Sequence, residues 1–229
     1  MNITRPERTA FTLVELLVVI AIIAVLAALI MPMMSRVTQQ ARTRKCANFM
    51  RELGIAAIRY AGDHDMTLPV TSHQRRKGGK SWTLTLQEYA EGKVTFRCPC
   101  DEDTERAYSY VINDFLTPNP SGAPDIDFSR LLRLEKQSET LLFAEASPEY
   151  KNTDHFHFTT YRGMPIPPSE LQGQVAVERH LGSANYLFAD AHVETLSWKQ
   201  AQVLLRQPGS RFIDPTAESP TEETNTSNK

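Results

Sequence analysis

With three cysteines in 229 residues, the chain has too few for a disulfide scaffold; they leave room for one bridge and an odd thiol. Charge of a single sign is also missing. A formal net charge of −2, with 23% charged residues, gives no field that argues for nucleic acid or an acidic ligand. No internal repeat is visible. Polar residues are absent from Leu16 to Met31, and large apolar residues are scarce in the last stretch, 209–229. The 41% hydrophobic content is therefore unevenly spread.

What is there begins with MNITRPERTA, a short polar leader at 1–10 with Arg5 and Arg8, followed by the apolar segment 11–34. At ~1.5 Å per residue that segment is long enough to cross a ~30 Å hydrocarbon core. Helical spacing continues beyond it: Cys46, Phe49, Met50, Leu53, Ala57 and Tyr60 recur at three- and four-residue steps, with Arg42, Lys45, Arg51, Glu52 and Arg59 between them. The pattern predicts one helix from Phe11 to Ala61, apolar all round in 11–34 and amphipathic in 35–62, ended by Gly62-Asp63. Pro32 is expected to kink it, because proline removes a helical hydrogen bond and crowds the preceding turn.

The remainder, 63–208, reads as an α+β domain. SWTLTLQEYAEG (81–92) predicts a short helix with Ser81 as N-cap, a packed face of Leu84, Leu86 and Tyr89, and Gly92 at its end. YSYVIN (108–113) and ETLLFAE (139–145) are strand-like. NYLFADAHVETLSW (185–198) predicts a hairpin turning at 189–191, and Ser197 caps a last helix, WKQAQVLLR, stopped by Pro208-Gly209. Residues 209–229 are polar and Pro/Thr/Glu-rich, the composition of a disordered tail.

One residue does not fit a plain membrane anchor. Glu15 lies five residues into AFTLVELLVVIAIIAVLAALIMP (10–32), where an ionised carboxylate costs ~2.5–3.5 kcal/mol on insertion scales. A secretory signal with small residues at Ala24, Ala27 and Ala28 would not explain a glutamate in its core, and a signal anchor explains only the length. The stretch resembles the N-terminal motif of type IV prepilins and type II secretion pseudopilins. The resemblance implies cleavage by a prepilin peptidase between Ala10 and Phe11, N-methylation of Phe11, and pairing of Glu15 with the N-terminal amine of a neighbouring subunit. It also places Pro32 at the family's kinking proline. The family prefers glycine before the cut; Ala10 stands there, small enough for a tight protease subsite. The positive residues after the segment (Arg36, Arg42, Arg44, Lys45) outnumber those before it, so charge alone would put the C-terminal domain in the cytoplasm. The motif implies the opposite: a single-pass protein of the inner (cytoplasmic) membrane with a periplasmic or extracellular domain. The implied fold is pilin-like α+β, a long kinked helix packed on a small antiparallel sheet. The implied partners are prepilin peptidase, other pilin or pseudopilin subunits and the inner membrane, without nucleic acid.

A second resemblance runs through KCANFMRELGIAAIRYAGDHDMTLP (45–69), SWTLTLQEY, FRCP (96–99), YSYVIN and ETLLFAE, which occur in the order found in a planctomycete-type prepilin subgroup. That subgroup's processing-associated domain ends in His, nine residues, then Asp-Gly. Here His180 and Asp190 fit, but Ala191 replaces the glycine, so the hairpin turn is expected to be of another type or strained. The pair is expected to form a structural hydrogen bond tying a loop to the turn rather than a catalytic or metal pair. Cys46 and Cys98 fall in shared blocks where cysteine is usual, which implies a bridge between them that leaves Cys100 free. A Cys98–Cys100 bridge would close a very small ring.

Three further constellations carry residue types that bind metals. HFHF (155–158) puts His155 and His157 on one side of a strand, as zinc ligands with Cys98, Cys100 or His192, although Cys-Pro-Cys lacks the usual two to four intervening residues. DEDTE (101–105) and PDID (124–127) offer carboxylates for calcium without EF-hand spacing. No cofactor and no enzymatic activity are expected.

Overall fold

The computed structural model describes residues 12–75, 79–90, 95–118, 120, 125, 127–151 and 154–216. Phe11, Ala10, Gly92 and the segment 217–229 lie outside the described residues. The elements are α1 (Leu13–Asp63), α2 (Trp82–Tyr89), β1 (Tyr110–Asn113), β2 (Leu141–Glu145), β3 (His155–Phe156), α3 (Pro168–Gln174), β4 (Ser183–Phe188), β5 (Val193–Ser197) and α4 (Trp198–Arg206), with single 3-10 turns between some of them.

Helix α1 passes through two compact units, Met1–Ala41 and Arg42–Lys229. In the first, helical structure is continuous across position 32. Large apolar side chains from Leu13 to Val37 stand open, Val19 at 46% and Leu13 at 79% being the extremes. In the second unit the amphipathic period reads out directly. Cys46, Met50, Leu53, Ala57 and Ala61 are fully buried, while Arg51, Glu52 and Arg59 are exposed. The helix stops later than Gly62 would suggest. Gly62 remains helical, and the chain turns away through Asp65 and Met66, both left-handed at φ 51° and 58°, with Met66 N–H closing on the Ala61 carbonyl at 2.8 Å.

The five strands form one sheet in the order β3-β1-β2-β4-β5. Neighbours are antiparallel except β1 and β3, which run parallel, so the sheet is mixed and not wholly antiparallel as the resemblance implied. The exception arises because the chain, having made β2 beside β1, crosses to the open edge of β1 for the two-residue β3.

Both faces of this sheet are covered. Tyr110, Ile112, Phe143 and Leu187 join the cluster of α1 and α2 residues, including Met50, Leu53, Trp82 and Leu86. Val111, Ala144, Tyr186 and Phe188 join the other, with Leu171 of α3 and Ala201 and Leu205 of α4. A β1 or β2 strand sandwiched this way is buried at every position, and hence reads as a continuous apolar run. Helix and sheet meet most closely at Gly54, where an added Cβ would stand 2.8 Å from Leu187 Cδ1 and 3.1 Å from the Ala191 methyl. Only glycine permits that approach.

Two local expectations change. In α2, Leu84 is 50% exposed, whereas Trp82, Thr83 and Leu86 are buried: the helix presents its 82/83/86 side inward, anchored by the Trp82 indole N–H on the Asp154 carbonyl at 2.6 Å. Ser81 occupies the N-cap position, but its hydroxyl meets Thr83 rather than a backbone N–H. Residues 209–216, polar enough to be grouped with a tail, instead fold back on the sheet. Phe212 and Ile213 are 2% exposed, the Phe212 carbonyl accepts from Leu141 N–H at 2.8 Å, and the Ile213 carbonyl from the Asn113 amide at 2.8 Å. Two apolar side chains suffice to dock a segment whose average composition is polar. The final helix α4 begins with a full capping box between Ser197 and Gln200.

Candidate functional site

The N-terminal end of α1 is built as a second capping box. Thr12 N–H and Thr12 Oγ1 donate to Glu15 Oε2 at 2.9 and 2.7 Å, and Glu15 N–H returns a bond to Thr12 Oγ1 at 3.3 Å. The carboxylate thus sits over the first turn, where the helix dipole favours negative charge. Behind it, α1 is long and apolar enough to cross a membrane, with mean hydropathy 3.2 in its most apolar window. Residues 6–31 match the prokaryotic N-terminal methylation motif. The chain therefore carries a prepilin-type, type IV pilin-like processing signal, and signal and helix together point to membrane anchoring. No curated protein and no solved structure matches the chain. The match stops at residue 31 and does not reach the unit from Arg42 onward.

There, Cys46 and Cys98 form a disulfide with their Cα atoms 5.1 Å apart, and Cys100 is a free, half-buried thiol. Burial pushes the Cys100 thiol up, and the nearby Glu145 charge adds to this against Arg42 and Arg179, which disfavours a reactive thiolate. His180 and Asp190 are not joined to each other. His180 Nε2 pairs with Glu145 at 2.9 Å, and lies 3.8 Å from Cys98 Sγ. Asp190 instead turns to His192, accepting from its backbone N–H at 3.0 Å and meeting Nδ1 at 2.5 Å. Burial raises the Asp190 carboxyl, but these bonds outweigh it and hold the group below its ordinary value. Glu145 is the partner that sequence reasoning missed. Its signal was a carboxylate closing the otherwise apolar run LLFAE in a strand buried on both faces. His180 and Glu145 are fully buried, so the pair has no open side toward a substrate.

The hairpin turn explains the missing glycine. Ala191 adopts φ 69°, and Phe188 N–H pairs with the His192 carbonyl at 2.9 Å around the three-residue loop 189–191. This is the turn that ends in a left-handed residue, normally glycine. Ala191→Gly is expected to stabilise the fold by about 0.5–1 kcal/mol, relieved strain being partly offset by chain entropy. A thermal midpoint unchanged or lowered would contradict this.

The acidic stretches named for calcium face arginines. Asp101 lies beside Arg106 and Arg179 at 3.8 and 3.4 Å, Asp125 pairs with Arg162 at 2.7 Å, and Asp127 with Arg133 at 2.7 Å. His155 and His157 do share a side, with ring centroids 5.4 Å apart. Their companion is neither cysteine nor His192 but Asp114, on the turn after β1. Burial and the neighbouring His155 push His157 down, against Asp114, so its imidazole is held toward the neutral form.

Proposed function

We propose that the chain is a structural pilin-like subunit rather than an enzyme. A prepilin peptidase cuts between Ala10 and Phe11, Phe11 is methylated, and the apolar helix holds the protein in the inner membrane with its domain periplasmic or extracellular. The subunit then packs into a type II secretion pseudopilus or a type IV pilus-like filament. The observation that carries this reading is Glu15 at its place in the methylation motif, at the head of a helix whose apolar surface is open from Leu13 to Val37. Among the described residues, Glu15 is capped by Thr12. In a bundle, the N-terminal amine of a neighbouring copy supplies the opposite charge, a bond far stronger in the low dielectric of a helix bundle than in water. The cysteine bridge and its oxidising requirement support an exported domain.

Two measurements test it. Mass spectrometry of the mature protein is expected to find an N-methylated Phe11; an intact Met1, or a start near Leu29, would overturn processing. Glu15→Gln keeps size and hydrogen bonding but removes the charge. Cross-linked oligomers or filaments are expected to fall at least about tenfold while the chain stays in the membrane. Undiminished assembly would instead favour a singly anchored envelope protein that binds a ligand or polymer without polymerising.

A further inference from the structure

We infer that Asp114, His155 and His157 form a binding site for a divalent transition-metal cation of the zinc class. One ligand atom from each lies within 4.8 Å of the others. Zinc bonds of ~2.0–2.2 Å in tetrahedral geometry require ligand separations of about 3.4 Å, so side-chain adjustment of an ångström or so closes the site. Two imidazoles and a carboxylate are a donor set suited to zinc and its neighbours, and three protein ligands leave the fourth position to water.

The surroundings are those of a supported site. His155, fully buried, meets Asp154 Oδ1 through Nδ1 at 2.8 Å. Asp154 is in turn fixed by Ser72, whose N–H donates to Oδ2 at 2.6 Å and whose hydroxyl donates to Oδ1 at 2.8 Å. A carboxylate at Nδ1 makes that nitrogen the N–H donor and places the ring's lone pair on Nε2, the outer-shell arrangement common to metal-bound histidines. Asp114, also fully buried, is oriented through Oδ1 by the Gln74 amide at 3.1 Å and Thr117 Oγ1 at 3.0 Å. The backbone at His157 is clamped on both sides by Gln174, at 3.0 Å each way. Yet His157 Nδ1 is buried without a hydrogen-bond partner. A protein that invests this many bonds in orienting three donor groups, and leaves an imidazole nitrogen unsatisfied beside them, gains from a cation there. The two-residue β3 pairs with β1 at the sheet edge. The metal would tie its histidines to the turn that follows β1.

The test uses the full, tag-free chain in detergent, incubated with zinc and dialysed against metal-free buffer. Elemental analysis is expected to find about one zinc per chain, and His157→Gln to reduce this to background while the metal-free thermal midpoint stays unchanged. Zinc is expected to raise the thermal midpoint of the parent protein and not of the variant. Cys100→Ser is expected to keep the zinc, and cobalt substitution to give a spectrum without thiolate charge transfer. No retained zinc in the parent, or equal retention in His157→Gln, overturns the site. Loss with Cys100→Ser overturns it in favour of the thiol.

Discussion

Replacing Cys46 and Cys98 together by alanine is expected to destabilise the domain by about 4 kcal/mol. The bridge joins residues 52 apart in sequence. Loop-closure entropy for a ring of that size gives ~4 kcal/mol at room temperature, within the usual range of ~2–5 kcal/mol for native disulfides. Alanine is the right replacement because Cys46 and Cys98 are 0% and 1% exposed, and serine would bury two hydroxyls. The bond also has a specific structural task. It fastens the packed stretch of α1 to the loop leading into β1, beside Tyr110, whose hydroxyl reaches toward the Cys46 carbonyl at 3.5 Å. Urea unfolding followed by fluorescence of the buried Trp82 measures the change; with m near 1–3 kcal/mol per molar, the midpoint is expected to fall by roughly 1.5–4 M. Reduction of the parent protein should reproduce the shift, and Cys100→Ser should not. A loss below about 1 kcal/mol would mean that the native packing of α1, not the bridge, restrains the chain.

The elements legible in the sequence are those specified within a few residues. The α1 period, the apolar runs of β1 and β2, the β4–β5 hairpin and the Ser197 cap are all short-range patterns, and physics at that range decides them. Leu84 shows the limit. Leucine at a helical position says that some face is buried, but Trp82, with its larger area and its bond to the Asp154 carbonyl, sets which one. The parallel edge strand β3 was hidden because two residues carry no periodicity, and its partner β1 lies more than forty positions earlier. Phe212 and Ile213 were lost in the average of a polar segment. The candidate site divides in the same way. The Glu15 motif is contiguous and was readable; the partners of His180 and His157 lie 35 and 43 residues away in sequence, on other elements, and no local spacing encodes them.

His180 and Asp190, paired by motif spacing, are expected to separate sharply on mutation. His180→Leu leaves Glu145 buried without its imidazole, and loss of one partner of a buried pair typically costs about 3–5 kcal/mol. The Glu145 charge already bears on its neighbours: burial pushes the hydroxyls of Tyr110 and Tyr186 up, and that charge pushes them further. Asp190 and His192, by contrast, keep about a third of their side chains in solvent, so Asp190→Asn is expected to cost less than about 1 kcal/mol. A double replacement, Glu145→Leu with His180→Leu, removes both charged partners at once and is expected to recover most of the single-mutant loss, because an apolar pair of similar volume carries no desolvation penalty. Equal losses for His180→Leu and Asp190→Asn would show the motif pair acting as a unit. A double variant as unstable as the sum of its parts would show that Glu145 is held by contacts other than the imidazole, such as the Asn185 N–H at 3.5 Å. The asymmetric result would make His180 a keystone of the domain interior, with Asp190 serving only to close a surface turn.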